Sequence, residues 1–193
     1  MKPVFATAFV IASLGATAAM AAPVTYEFDP AHSQVVFDYS HMGFSISTGI
    51  INGVTGKVVL DADAPEKSSV EATVPMSGLH TVSPELDKHL FTPDFFNTDQ
   101  AGAVATFKST KVELDGDKEA KVTGDLTLNG VTKPVVLEVD LKQLANHPMS
   151  GKEVAGFEAE TTIKRTDFNL GKFAPAVADE LEIKIGVEAA KVE

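Results

Sequence analysis

The amino-acid sequence predicts an all-β fold, an eight-stranded antiparallel barrel with one short helical insertion. Eight segments alternate apolar and polar residues with a period of two, which is typical of strands that bury one face. Turn residues separate neighbouring apolar runs, whereas residues 83–97 carry helix-start signals. The polar face of each segment favours antiparallel pairing, because parallel strands are usually covered on both faces.

The eight predicted strands are defined by the residues expected to point inward. In the last strand these residues alternate with Glu182, Lys184, Gly186 and Glu188, which are expected to face water. The inward positions are Val35, Phe37 and Tyr39; Val58 and Leu60; Val70, Ala72 and Val74; Ala105, Phe107 and Ser109; Val122, Gly124, Leu126 and Leu128; Val135, Leu137, Val139 and Leu141; Phe157, Ala159, Thr161 and Ile163; and Leu181, Ile183, Ile185 and Val187.

Two short motifs predict the turns between strands. Asn129-Gly130 lies between two apolar runs and predicts a tight hairpin, because both central residues of a primed turn need positive φ. Asp115-Gly116-Asp117 is expected to join the preceding pair of strands in the same manner.

The helical insertion is predicted from capping residues. Ser83 is a suitable N-cap, Pro84 fits the first helical position, and Glu85 favours the positive end of the helix dipole. Thr92-Pro93-Asp94 repeats this start signal and predicts a second short helix, which would carry both Phe residues at 95 and 96.

Composition excludes several classes of function. The 193 residues include 16 basic and 27 acidic side chains, giving a net charge of −11, and 44% are hydrophobic. The apolar fraction indicates a folded domain, whereas the acidic balance disfavours nucleic acid and anionic membrane surfaces as partners. Because the sequence has no cysteine, disulfides, thiolate metal sites and a Cys nucleophile are excluded.

The first 21 residues have the pattern of a cleaved export signal. An apolar run extends from Val4 to Ala16, and Ala19 and Ala21 fit the A-x-A cleavage rule. The run is too short for a transmembrane helix, which needs about 20 residues. We therefore expect a signal peptide over residues 1–21, a single domain over residues 22–193, and no stable membrane anchor.

The inward positions bear on whether the interior is hollow. A sandwich is the alternative to a barrel, although the Cys and Trp core of immunoglobulin sandwiches is absent from the sequence. An eight-stranded barrel can fill itself with side chains or hold one small ligand. Six small inward residues suggest a cavity, but a dry barrel packed by neighbouring Phe and Leu side chains is an equal alternative on pattern alone. The six are Ala72, Ala105, Ser109, Gly124, Ala159 and Thr161.

Motifs for catalysis or metal binding are sparse. The sequence has no nucleophile elbow, zincin motif, P-loop or dinucleotide fingerprint. His32 and His41 flank the first long strand, so a zinc site that joins them with Asp87 or His89 is one hypothesis. The favoured alternative is that these imidazoles form hydrogen bonds with backbone groups where the barrel is capped.

Two further groups have a structural and a functional interpretation. Asp94-Phe95-Phe96 is interpreted as a plug packed on a barrel mouth. Arg165 and Asp167 could hold a ligand head group, although a structural ion pair between them is the favoured interpretation.

Six segments of the sequence match a known pattern in combination. They are residues 26–33 (YEFDPAHS), 37–44 (FDYSHMGF), 86–90 (LDKHL), 94–96 (DFF), 124–135 (GDLTLNGVTKPV) and 165–168 (RTDF). In this order, over nearly the whole chain after residue 21, they resemble the YceI-like family. Two departures are visible: Ala103-Val104-Ala105 stands where Tyr-Pro is expected before Thr-Phe, and Asn169 stands where Gly is usual.

The resemblance implies a lipocalin-like barrel, exported to the bacterial periplasm, that binds a long polyisoprenoid or similar amphipathic lipid. It implies a carrier, store or scavenger without enzymatic activity, cofactor or metal, and it leaves open a homodimer. The residues then expected to bind the ligand are Phe37, Tyr39, Phe44, Ala72, Phe95, Phe96, Phe107, Leu126, Phe157, Ala159 and Ile183, with His32, His41 and Arg165 as polar groups near an end.

Two other functions remain open from the sequence. One is a His-based hydrolase or isomerase that acts on such an amphiphile. The other is a stress-related protein-binding module whose barrel is dry.

The cleavage rule makes a direct prediction about processing. Because Ala19 and Ala21 occupy the −3 and −1 positions, the exported protein should begin at Ala22. N-terminal sequencing of the exported protein checks this expectation, and a chain that still begins at Met1 would contradict it.

Overall fold

The computed structural model describes residues 22–97 and 102–193. The predicted signal peptide, residues 1–21, lies outside the described residues. Within them the chain is mostly β-strand, with one α-helix and three 3₁₀ helices. The strands are β1 (Val24–Phe28), β2 (Gln34–His41), β3 (Ser45–Asn52), β4 (Thr55–Leu60), β5 (Ser69–Pro75), β6 (Leu79–His80), β7 (Val104–Leu114), β8 (Glu119–Leu128), β9 (Val131–Asn146), β10 (Glu153–Lys164) and β11 (Glu180–Lys191); the helices are α1 (Pro84–Leu90) and the 3₁₀ helices Pro65–Lys67, Met76–Gly78 and Arg165–Phe168.

One antiparallel sheet closes on itself to form the barrel. Its ring has the order β1-β4-β5-β7-β8-β9-β10-β11, and pairing between β11 and β1 completes the circle. The other three strands extend the wall at one end in the order β2-β3-β6, with β2 paired to β11. The predicted eight-stranded antiparallel barrel is therefore confirmed.

At three places around the barrel, two strands that are consecutive in the sequence lie end to end along the same neighbouring strands. β1 and β2 pair with the same edge of β11, through Phe28↔Ala189 and Phe37↔Ile183, and residues 29–33 separate them. In the same way β4 pairs with β1 while β3 pairs with β2, and β5 pairs with β4 while β6 pairs with β3. The helix α1 follows β6, so the insertion lies at the end of the barrel that β2, β3 and β6 extend.

The strands β1, β3 and β6 are not predicted by period-two alternation. β6 has only two residues. In β3 the pattern is inverted: Ile46 and Ile50 are exposed, whereas Ser47 and Gly49 pair with the inward residues Tyr39 and Phe37. An apolar outer face combined with a small inner face gives no usable signal.

The helix forms as its capping residues predict. The Ser83 side chain accepts a hydrogen bond from the Leu86 N–H, and Pro84 begins the helix. The helix has only seven residues, and no helix in the described part of the chain is long and apolar enough to cross a membrane.

The prediction of a second short helix after Thr92 is wrong. Residues 91–96 form turns, in which the Thr92 carbonyl accepts hydrogen bonds from the N–H groups of Phe95 and Asn97. Asn97 has a φ of +51°, a left-handed conformation that does not continue a helix. Thr92 therefore begins a compact turn and not a helix. This turn brings Phe95 and Phe96 back towards α1.

The two predicted hairpin turns differ in outcome. Asn129 and Gly130 have φ values of +50° and +74° between the paired residues Leu128 and Val131, as a primed turn requires. The expectation that Asp115-Gly116-Asp117 forms the same kind of turn is wrong, because four residues join β7 to β8 and only Gly116 has positive φ.

Two inward glycines accept aromatic rings from neighbouring residues. The Phe37 ring lies against Gly49, its partner on β3, and the Phe107 ring lies against Gly124 on β8. A Cβ at either glycine would overlap the ring, and at Gly124 it would also lie 2.6 Å from the Lys108 carbonyl oxygen. Glycine is therefore required at both positions, because the neighbouring Phe ring approaches the backbone too closely to admit a side chain.

The glycine contacts make a prediction about stability. Gly124→Ala should lower the free energy of unfolding by about 1–3 kcal/mol, because the ring and the strand must shift to admit the methyl group. Gly186→Ala is a matched control on β11, where an added Cβ meets no atom within 4 Å; it should be neutral or slightly stabilising. Urea unfolding of both variants checks this, and equal midpoints would show that the Phe107 ring is not confined.

Candidate functional site

A cavity of about 720 Å³ occupies the interior of the barrel. It is lined by residues from every strand of the ring and by the segments that cover its ends. Ligand-binding cavities have volumes of about 300–1,000 Å³, so this chamber is large enough for one long apolar molecule. The dry-barrel alternative is not supported.

The chamber wall is almost entirely apolar. All predicted inward positions line it except Ser109, which accepts a hydrogen bond from the Val70 N–H, and Gly124, which lies under the Phe107 ring. Polar side chains in the lining are concentrated near its two ends. The central part of the chamber therefore offers a ligand little besides apolar contact.

The two ends of the chamber are built differently. The insertion mouth consists of the β2–β3 turn, residues 81–97 and residues 165–178, and contributes Met42, Leu86, Phe95 and Val177 to the lining. The loop mouth consists of residues 61–68 and 114–119.

The structure brings twelve of the fourteen predicted site residues together on the cavity lining. They come from five strands of the ring, from β2, from the turns after α1 and from the 3₁₀ helix at residue 165. These residues are Phe37, Tyr39, His41, Ala72, Phe95, Phe96, Phe107, Leu126, Phe157, Ala159, Arg165 and Ile183.

Phe44 and His32 lie outside the chamber. Phe44 lies in the β2–β3 turn and is 89% exposed. His32 is exposed on the link between β1 and β2, where its Nδ1 lies 2.7 Å from the Asp29 carboxylate. This carboxylate raises the pKa of His32, an effect confined to the outer surface.

Aromatic side chains close part of the insertion mouth. The Phe91 and Phe96 rings stack with their centroids 5.4 Å apart, and the Phe96 N–H donates to the Leu90 carbonyl. The Phe95 ring meets His89 edge-on at 5.4 Å and packs near Phe173. The segment interpreted as a plug therefore does pack on a mouth of the barrel, between α1 and the 165–178 segment.

An acidic side chain connects this plug to the opposite rim of the mouth. The Asp94 carboxylate lies 3.2 Å from His89 Nε2 and 3.3 Å from Lys172 Nζ. The hydrogen bond with His89, followed by that with Lys172, lowers the pKa of Asp94, so the carboxylate keeps its charge near neutral pH. Lys172 also lies over the Phe173 ring, 5.6 Å from its centroid.

Arg165 organises the other rim of the insertion mouth. Within the described residues, Arg165 is the one charged residue that is buried, with 7% exposure. Burial lowers the pKa of its guanidinium group. Four of its five N–H donors meet main-chain carbonyl groups. The acceptors are Ala178 (from Nε, 2.8 Å), Leu170 and Lys172 (from Nη1, 2.7 and 3.1 Å) and Val177 (from Nη2, 2.8 Å).

The predicted Arg165–Asp167 ion pair is wrong. Asp167 instead pairs with Lys133 on β9 at 2.6 Å, on the outside of the barrel. The four carbonyl groups that hold the guanidinium all belong to residues 170–178, so Arg165 fixes the path of that segment across the mouth.

The proposed zinc arrangement of His32, His41 and Asp87 or His89 is not formed. Asp87 accepts hydrogen bonds from the Thr81 N–H and hydroxyl, and His89 meets Asp94. Within residues 22–97 and 102–193, no three His, Asp or Glu side chains converge in a way that could hold a metal ion.

Several lining residues of the insertion mouth are missed by the sequence reasoning. Leu86 and Leu90 occur four residues apart on α1, a spacing that places them on one helix face and could have identified them. Leu170, Phe173 and Val177 lie in an irregular segment whose path depends on Arg165, so no periodic pattern marks them.

The fold and the chamber define the class of protein: a lipocalin-like, closed antiparallel β-barrel around an apolar cavity. Comparison with known proteins gives the family. The YceI-like domain matches residues 26–189, and Protein YceI of Escherichia coli O157:H7 is 38% identical over 187 residues, covering 97% of this chain and 96% of that protein. The chain therefore belongs to the YceI-like family.

Two solved structures share the fold at lower sequence identity. BcnA of Burkholderia cenocepacia has a TM-score of 0.74 at 24% identity, covering 84% of this chain and 99% of that one. A polyisoprenoid binding domain from Saccharophagus degradans, implicated in plant cell wall breakdown, has a TM-score of 0.66 at 12% identity, covering 88% and 99%.

The plug makes a prediction about ligand retention. Phe95→Ser combined with Phe96→Ser should raise the dissociation rate of a bound hydrophobic dye at least several-fold, because both rings line the chamber at its mouth. The barrel strands should remain folded, since these residues lie outside the sheet. Stopped-flow fluorescence measures the rate of dye release, and circular dichroism measures whether the strands remain folded. An unchanged release rate would show that Phe95 and Phe96 do not retain the ligand.

Proposed function

We propose that the protein binds one long-chain isoprenoid or related amphipathic lipid inside its barrel and acts in the periplasm as a carrier, store or scavenger. The proposal includes no chemical transformation of the ligand. The twelve predicted site residues that line the chamber are proposed to contact it, whereas Phe44 and His32 are not.

The observation that carries this proposal is the continuous apolar chamber. Burial of each CH₂ group is worth about 0.8 kcal/mol, so a chain of several isoprene units could supply strong binding after ordering costs are subtracted. The neighbour from Saccharophagus degradans, named a polyisoprenoid binding domain, has the same fold and supports this choice of ligand class.

The polar groups of the insertion mouth suit a small head group. Within the described residues, four of the five guanidinium N–H donors of Arg165 are used by the main chain, which leaves one donor for a ligand. Tyr39, His41 and Thr81 also line this end. We propose that the head group lies here and makes few hydrogen bonds, while the apolar chain extends towards the loop mouth.

The transport role is supported by the export signal predicted at residues 1–21 and by the family. A water-insoluble chain needs a protein shell to cross an aqueous compartment, and a closed barrel provides one. His89 and Arg165 are both engaged in contacts that hold the mouth together, which supports a binding role in preference to acid–base chemistry.

The chamber can be tested by filling it. Ala159 lies on β10 between Val139 and Ile185 and lines the cavity. Ala159→Phe should fold with little loss of stability yet displace lipid, because the ring occupies ligand volume. Thermal melting, together with organic extraction and mass spectrometry of the purified protein, measures both effects.

The control for this experiment is Glu160→Phe, an exposed position on the outer face of the same strand, which should leave the lipid content unchanged. If Ala159→Phe costs about 1–3 kcal/mol of stability and the wild type carries no lipid, the interior is a packed core and the proposal fails. If the Ala159→Phe variant has normal stability and carries as much lipid as the wild type, Ala159 does not contact the ligand.

A further inference from the structure

The two ends of the barrel differ in the chemistry of their outer surfaces. Around the insertion mouth, large apolar side chains are exposed: Phe44 by 89%, Val82 by 87%, Ile46 by 68% and Met42 by 51%. Exposed apolar groups that occur together, in contrast to scattered single ones, mark interaction surfaces. We call these four residues, with Phe173, the apolar rim.

The residues of the apolar rim are neighbours in the fold. Met42 and Phe44 belong to the turn that joins β2 to β3, and Ile46 lies on the outer face of β3. Val82 comes two residues after His80 of β6, and His80 pairs with Ile50 of β3. Because the two strands are antiparallel, Val82 lies towards the Ile46 end of β3. The Met42 N–H donates to the Ala176 carbonyl, which attaches the turn to the segment that carries Phe173.

The apolar rim is continuous with the interior of the barrel. Met42 and Phe173 are about half exposed and also line the chamber, so the outer and inner apolar surfaces meet at these two side chains. A lipid that entered between them would remain in contact with apolar groups from the outer surface to the chamber. This continuity distinguishes the rim from an ordinary protein-binding patch.

The two ends also differ in where their charged side chains lie. No charged side chain occurs from residue 42 to residue 56, although 22% of the whole sequence is charged. The loop mouth instead carries an acidic group of residues, namely Asp61, Asp63, Glu66, Asp115, Asp117 and Glu119. Burial of a charged group in an apolar medium is costly, so the uncharged β2–β3 turn and β3, with Val82 beside them, are the part of the rim suited to enter such a medium.

We propose that the apolar rim inserts into the outer part of a lipid bilayer, and that ligand passes between the bilayer and the chamber through the insertion mouth. The ligand transfer rests on the proposed function, whereas the docking itself does not require it. A neutral apolar tip on an acidic protein fits a zwitterionic lipid surface, with the acidic loop mouth facing away from it.

The test measures bilayer docking and ligand transfer separately. Full-length mature protein is sedimented with phosphatidylcholine vesicles, and transfer of solanesol, a polyisoprenoid alcohol, from such vesicles is timed. Phe44→Ser combined with Ile46→Ser should reduce the vesicle-bound fraction about tenfold, because two exposed apolar side chains lose their contact with lipid. The rate of solanesol transfer from vesicles should fall with it.

Two controls identify the cause. Met149→Ser changes a side chain that is 88% exposed in the β9–β10 turn, at the other end of the barrel, and should sediment like the wild type. Solanesol delivered from detergent should bind the Phe44→Ser, Ile46→Ser variant as it binds the wild type, because neither side chain lines the chamber.

The proposal is overturned if the wild type does not sediment with vesicles, or if the double variant sediments equally well. It is also overturned if analytical ultracentrifugation shows a dimer that the double variant dissociates, since the rim would then be covered by a second copy. If the wild type takes up no solanesol from detergent, the proposed function fails instead, and sedimentation without solanesol still decides the docking.

Discussion

The architecture depends on the pairing of β11 along both of its edges. One edge follows β10 from Lys164 to Val154, and the other pairs first with β2 and then with β1. Without this double pairing the sheet would be open, with exposed edges and no enclosed space. Closure at eight ring strands leaves room inside for more than the small inward residues can fill, so the apolar faces of the strands become the walls of a chamber.

Much of the fold follows from alternation in the sequence because the long strands bury one face in a uniform way. β11 alternates apolar residues with polar residues or glycine from Glu180 to Ala189, and every second residue of a strand lies on the same face. The alternation fails where strands are short or inverted, as in β6 and β3. It also cannot show that β1 and β2 share the edge of one partner strand, since that depends on the bend at residues 29–33.

The site is predictable where it belongs to a strand and less so where it belongs to a loop. Phe157, Ala159 and Ile183 follow directly from the alternation. Phe44 is misplaced because three residues separate the paired His41 and Ser45, a turn length that no local motif specifies. The covering segments depend on long-range contacts, such as those from the Arg165 guanidinium to the carbonyl groups of residues 170–178.

The glycines beneath the two aromatic rings have a consequence for how such a barrel could diversify. Gly49 and Gly124 allow the Phe37 and Phe107 rings to lie close against the wall, so the bore of the chamber is set partly by residues that are themselves covered. Replacement of Gly49, where the three nearest atoms to an added Cβ all belong to the Phe37 ring, would turn that ring towards the interior and narrow the bore. Evolution can therefore alter the width of molecule that a barrel of this kind admits through positions that no ligand touches.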